Sequence, residues 1–169
     1  MQTRREVGGD EKNISILIIA SAVIYILILY FMLFIGFGRG MVILSEDMLD
    51  NFNYWNSVSL VPFKTITQYI TTIADGNIKG HAIRNLSGNL FLFFPAGFYL
   101  PFFARKMNKI GIYSMVMAAV IIIVELIQLA TKSGSLDIDD FILNYVGALI
   151  GFIIFTRTLI RALLQFRAW

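Results

Sequence analysis

The sequence contains no cysteine, one histidine and three prolines in 169 residues. Without cysteine it can form neither a disulfide framework nor a thiolate metal site. With His81 alone, a histidine-based triad has one candidate base and no clear serine partner. Charge is scarce as well. Only 15% of the residues are charged while 57% are hydrophobic, and the mean hydropathy is +0.73. Soluble domains carry about a quarter charged residues, so an ordinary soluble domain is excluded. The chain also lacks a long Pro/Gly/Ser linker, a low-complexity tract, an obvious repeat and a nucleotide-binding glycine motif. It has room for one unit, 1–169.

What is present is a series of apolar runs. A bilayer core of about 30 Å needs about 20 apolar helical residues. Four segments qualify, over approximately 14–37, 86–103, 112–130 and 141–160. Arg4 and Arg5 precede the first run, but it exceeds a signal-peptide core of about 7–15 residues and no small-x-small cleavage site follows. It is expected to be a retained span, ended by Gly36, Gly38 and Gly40. Pro95 and Gly97 are expected to bend the second span, which neighbouring helices can tolerate. Arg157 and Arg161 soften the fourth, so its membrane part is expected to stop near Thr156. The expected fold is all-α, an integral membrane four-helix bundle.

The pI near 9.3 does not indicate nucleic acid, because the basic residues sit at span ends and form no stripe. Nine of them fall on one side: Arg4, Arg5, Lys12, Arg105, Lys106, Lys109, Arg157, Arg161 and Arg167. Arg39, Lys64, Lys79, Arg84 and Lys132 fall on the other, with Glu46, Asp47, Asp50, Asp75, Asp137, Asp139 and Asp140. The lysine and arginine bias makes the first side cytoplasmic, with both termini on it.

The outer loop, 39–85, is too long for a simple connection. After Pro62, apolar residues fall at Phe63, Ile66, Ile70 and Ile73, a helical spacing. An amphipathic helix is expected here, either on the outer membrane surface beside Tyr54 and Trp55 or capping the bundle.

Polar residues inside spans are costly, so the faces they share are informative. Asn85, Gly88, Asn89 and Ala96 share one face of span two. Gly111, Ser114, Ala118, Glu125 and Gln128 do so on span three, and Asp140, Asn144, Gly147, Ala148 and Gly151 on span four. Gly147 and Gly151 form a GxxxG pair suited to close backbone approach, and to a homo-oligomer. Glu125 lies roughly 8 Å from the outer end of its span at 1.5 Å per residue. Lys64, His81 and Arg84 are candidates for the rim. Asn89, Asn144 and Gln128 also suit plain interhelical hydrogen bonding, and Asp137 or Asp139 suits an N-cap of span four. Asp137-x-Asp139-Asp140 lacks the glycine and ligand spacing of an EF-hand, so no metal is expected. No cofactor motif or recognisable catalytic constellation is present.

The chain resembles the VanZ-like family of small bacterial membrane proteins. The resemblance runs from SLVPFKTI (59–66) through NLSGNLFLFFPAGFYLP (85–101) and Glu125-x-x-Gln128 to SLDIDDFILNYVGALIGF (135–152). Many members carry an arginine shortly before the D-I-D-D stretch, where this chain has TKSGSL (131–136) with Lys132 the nearest base. The family's recurring polar residues fall on Asn85, Asn89, Glu125, Gln128, Asp137, Asp139, Asp140 and Asn144. The resemblance implies a cell-envelope role, since the name-giving member raises resistance to the glycopeptide teicoplanin without altered peptidoglycan precursors.

The expected function is therefore a multi-pass protein of the bacterial cytoplasmic membrane. It would lower susceptibility to lipoglycopeptides through a polar site at the outer leaflet. Membrane lipid and a lipoglycopeptide or lipid-linked envelope molecule are the expected partners, and nucleic acid is not. The alternative is a membrane enzyme acting on a lipid-linked or surface substrate, with Glu125 and Asp140 as acid–base groups. A transporter is disfavoured, because four spans leave little room for alternating access.

Overall fold

Among the described residues, four helices are long and apolar enough to cross a bilayer: Ser15–Ile35, Ala82–Phe103, Ile110–Ala130 and Ile138–Thr158. At about 1.5 Å per residue, 21 or 22 residues match a hydrocarbon core of about 30 Å. The computed structural model describes residues 3–35, 58–76 and 80–166. They form an all-α membrane bundle with one short helix outside the spans.

Span one belongs to α1 (Thr3–Tyr30), which widens into a π-helical turn at Phe31–Ile35. The expected glycine terminator at 36–40, with Tyr54 and Trp55, lies outside the described residues. Span two is formed by α3 (Gly80–Leu92) and α4 (Ala96–Phe103). Its helix starts at Gly80, earlier than the expected 86, because helical hydrogen bonding continues through the polar Arg84 and Asn85. Pro95 has no N–H to give, and the amides of Ala96 and Gly97 turn to the carbonyls of Phe93 and Phe94, both at 3.1 Å. The Leu92 carbonyl instead accepts the Tyr25 hydroxyl of span one at 2.9 Å. A neighbouring helix thus satisfies the group that the proline break released.

A 3₁₀ turn at Arg105–Asn108 leads into span three, α5 (Ile110–Ala130). Beyond α5 the chain closes in a Schellman-type turn: Lys132 has φ +57° and Ser133 N donates to Gln128 O at 2.9 Å. Span four lies in α6 (Ile138–Phe166), which begins before the expected 141 and ends beyond 160. Asp137 caps its start, accepting the Asp139 amide at 2.9 Å.

The loop helix α2 (Lys64–Ala74) forms where Pro62 and the apolar spacing place it. It packs on α3 and the start of α6, with Ile66 and Ile73 half-buried. Its other apolar residues, Phe63 at 59% and Ile70 at 54%, remain exposed. Two short strands fix its entry. β1 (Val58–Ser59) pairs in parallel with β2 (Leu136–Asp137), Val58 opposite Leu136 and Ser59 opposite Asp137. That register brings 62–66 beside the first turn of span four.

Spans two and four form the tightest seam. A Cβ on Gly147 would lie 1.8 Å from Leu90 O, one on Gly151 2.0 Å from Phe94 O, and one on Gly97 2.1 Å from Phe152 N. Close approach of this kind gains dispersion contacts that larger side chains would prevent. In this chain Leu90 and Phe94 of span two lie against Gly147 and Gly151, the two glycines expected at a homo-oligomer contact. Span three packs through Tyr113, Met117, Ile121, Glu125 and Gln128. The expected small face differs at its inner end, where Gly111 is exposed and Ser114 half-buried. The reason is Tyr113, whose ring stacks on Phe152 at 4.5 Å and whose hydroxyl donates to Ala148 O at 3.0 Å. Span one is the least buried of the four.

Candidate functional site

The polar residues singled out in the sequence gather at one end of the bundle, in three sets. The first lies between spans two and four. Asn89 Nδ2 donates to Asp140 Oδ1, in a short contact, and at 3.4 Å to Asn85 Oδ1. Asn144 follows Asp140 by one helical turn and so shares its face. It is 2% exposed, and its Oδ1 accepts no hydrogen bond among the described residues. One turn further, Gly147 presses on the Leu90 carbonyl and closes the gap between the helices. These four residues therefore form a polar floor resting on a glycine seam. A buried amide oxygen left without a donor costs about 1–3 kcal/mol, so this floor suits a hydrogen-bonding guest.

The second set anchors α2. Asp139 is fully buried. Its Oδ1 accepts from Phe63 N at 2.5 Å, and its Oδ2 accepts from Thr65 N at 2.7 Å and Ile66 N at 3.0 Å. A carboxylate thus sits on the N-terminus of α2, where free amides and the helix dipole both favour negative charge. Phe63 reaches this arrangement with φ 63°, an unusual conformation for an aromatic residue. Asp137 Oδ2 accepts the Thr65 hydroxyl at 2.7 Å. The expected cap of span four is Asp137, whereas Asp139 caps a different helix 74 residues away from it in sequence at Thr65.

The third set is on span three. Gln128 Nε2 donates to Leu33 O in the π-turn of span one at 2.8 Å, which joins the outlying helix to the bundle. Glu125, nearly one turn deeper, is 6% exposed. Of the rim candidates, Lys64 and Arg84 are exposed, and Arg84 Nε donates to Gly80 O of its own helix at 3.0 Å. The side chain of His81 lies outside the described part. Among the described residues no group of three His, Cys, Asp or Glu side chains is arranged to hold a metal ion.

A protein-family model described as VanZ/LLP1 matches residues 22–161. The chain belongs to the VanZ/LLP1 family. Comparison with curated proteins and with solved structures yields no match. In this VanZ/LLP1 chain the matched region contains all three polar sets and the seam beneath them. The sequence reading missed Thr65, Tyr25 and Tyr113. Thr65 had a usable signal, a hydroxyl residue three positions after the proline that opens α2. Neither tyrosine had one, because its partner is a backbone carbonyl on another helix.

Proposed function

We propose that this VanZ/LLP1 membrane protein works in the bacterial cell envelope, lowering susceptibility to lipoglycopeptides such as teicoplanin. It does so by holding part of an amphiphile on the outer leaflet, at the polar end of the bundle. The observation that carries the reading is the stripe of buried Asn89, Asp140 and Asn144, with half-buried Asn85 above them, between spans two and four. A carboxylate and an amide oxygen there are kept from water at the cost expected of intramembrane polar groups. Glu125 extends the polar character to span three. An amphiphile's tail can remain in the lipid while its polar part meets this floor.

The orientation follows from the charge bias: both termini face the cytoplasm, and α2 and the polar floor face outward. The absence of native cysteine makes this directly testable. A cysteine replacing exposed Lys64 should react with an impermeant maleimide in intact cells. One replacing exposed Lys106 should react only after permeabilisation, and the reverse pattern would invert the topology.

For function, teicoplanin susceptibility is measured in cells expressing the wild type, Asp140→Asn or Glu125→Gln at matched membrane levels. Protection should be present with the wild type and lost in both variants. Undiminished protection in both would remove this cluster from the mechanism.

A second reading, favoured by the paired burial of Glu125 and Asp140, is acid–base chemistry on a lipid-linked or surface substrate. Mass spectra of lipid extracts with and without expression separate the two readings. A new or missing lipid species supports catalysis, and unchanged extracts support binding alone.

A further inference from the structure

The opposite end of the same two helices carries a second feature. Below the close contact of Gly97 with Phe152, α4 and α6 border a cleft of about 160 Å³ over the ring pair Phe98–Phe155, whose centroids lie 5.2 Å apart. Phe98, Pro101 and Phe102 form one wall, and Phe155, Thr156 and Thr158 the other. Both threonine hydroxyls are turned into their own helix, donating to Phe152 O and Ile154 O. The walls therefore present rings and methyl groups. Such a surface fits a hydrocarbon chain.

The charges on the segments that line and directly flank the cleft are of one sign. Arg157 stands between two lining residues, and Arg105 and Lys106 follow directly on the end of α4; all three are exposed. No acidic residue occurs between Asp75 and Glu125, or anywhere after Asp140. Basic pockets between membrane helices suit anionic lipid headgroups.

We infer that this cleft is a binding site for an anionic phospholipid. One acyl chain lies along the cleft over the touching rings of Phe98 and Phe155, against Pro101, Phe102 and Thr158, and the phosphate meets Arg105 and Arg157. The inference is independent of the function proposed for the polar end.

The test is native mass spectrometry of the full-length protein after detergent delipidation. Phosphatidylglycerol, phosphatidylcholine of the same chain length, and glycerol phosphate are offered separately. The wild type should retain one phosphatidylglycerol and neither of the others. Arg105→Gln and Arg157→Gln should each weaken retention about fivefold, corresponding to about 1 kcal/mol per basic residue. Thr158→Trp, which fills the cleft and leaves the basic groups in place, should abolish it. Equal retention of phosphatidylcholine would overturn the charge assignment. Retention of glycerol phosphate, or unchanged retention in Thr158→Trp, would overturn the acyl-chain site. Size-exclusion profiles confirm folding, and the arginine variants alter only exposed side chains.

Discussion

The two ends of the seam between spans two and four are built from opposite materials. At one end Asn89 holds Asp140 above a glycine contact, and Asn89, Asp139, Asp140 and Asn144 are all buried. At the other the helices meet through phenylalanine rings beside an apolar cleft, and the charged residues stand outside in exposed positions. The difference shows where burial of polarity is tolerated. Between spans two and four, the buried polar groups lie beside the Gly147 contact, where α2 packs on the same two helices. At the basic end the same charges would be unsupported, so they remain at the boundary as membrane anchors.

Breaking the seam should therefore damage the polar end most. Gly147→Leu places side-chain atoms where Leu90 O now lies, and the helices must part. The expected loss is about 3 kcal/mol or more, with loss of a monodisperse folded species in detergent. Removing the clamp on α2 is next. Asp139→Ala leaves the Phe63, Thr65 and Ile66 amides without their acceptor, at an expected cost of about 3 kcal/mol. Hydrogen exchange should rise sharply in 63–74 and stay unchanged in 110–120. Equal exposure of both segments would mean that Asp139 supports the whole bundle and not α2 alone. The smallest effect is expected at Tyr25. Tyr25→Phe removes one interhelical hydrogen bond to the Leu92 carbonyl, worth about 0.6–1.7 kcal/mol in membrane helices. A modest drop in thermal stability should result. A drop as large as that of Asp139→Ala would place span one in the core of the fold.

These contrasts also explain what the sequence revealed. The four spans were legible because apolar length and lysine/arginine punctuation are local properties. The proline break at 95 and the helix after Pro62 were legible for the same reason. Asn85, Asn89, Asp140 and Asn144 declared themselves by helical spacing, and the structure brings them to one interface. The role of Asp139 was not legible, because its acceptor function depends on amides brought over by the β1–β2 register. The inner face of span three was misread for a related reason. Small residues at 111 and 114 suggested a close contact, but a single ring, Tyr113, sets the helix rotation. The GxxxG spacing of Gly147 and Gly151 marks a close backbone contact without naming its partner, and the fold places Leu90 and Phe94 of span two there.

The polar end is the centre of this account, and direct binding tests it most plainly. Teicoplanin is titrated against the purified protein in phosphatidylcholine nanodiscs, with Asp140→Asn measured in parallel. Saturable binding to the wild type, weakened at least about tenfold in the variant (about 1.4 kcal/mol), is the predicted result. No saturable binding, or equal binding by both proteins, would contradict it.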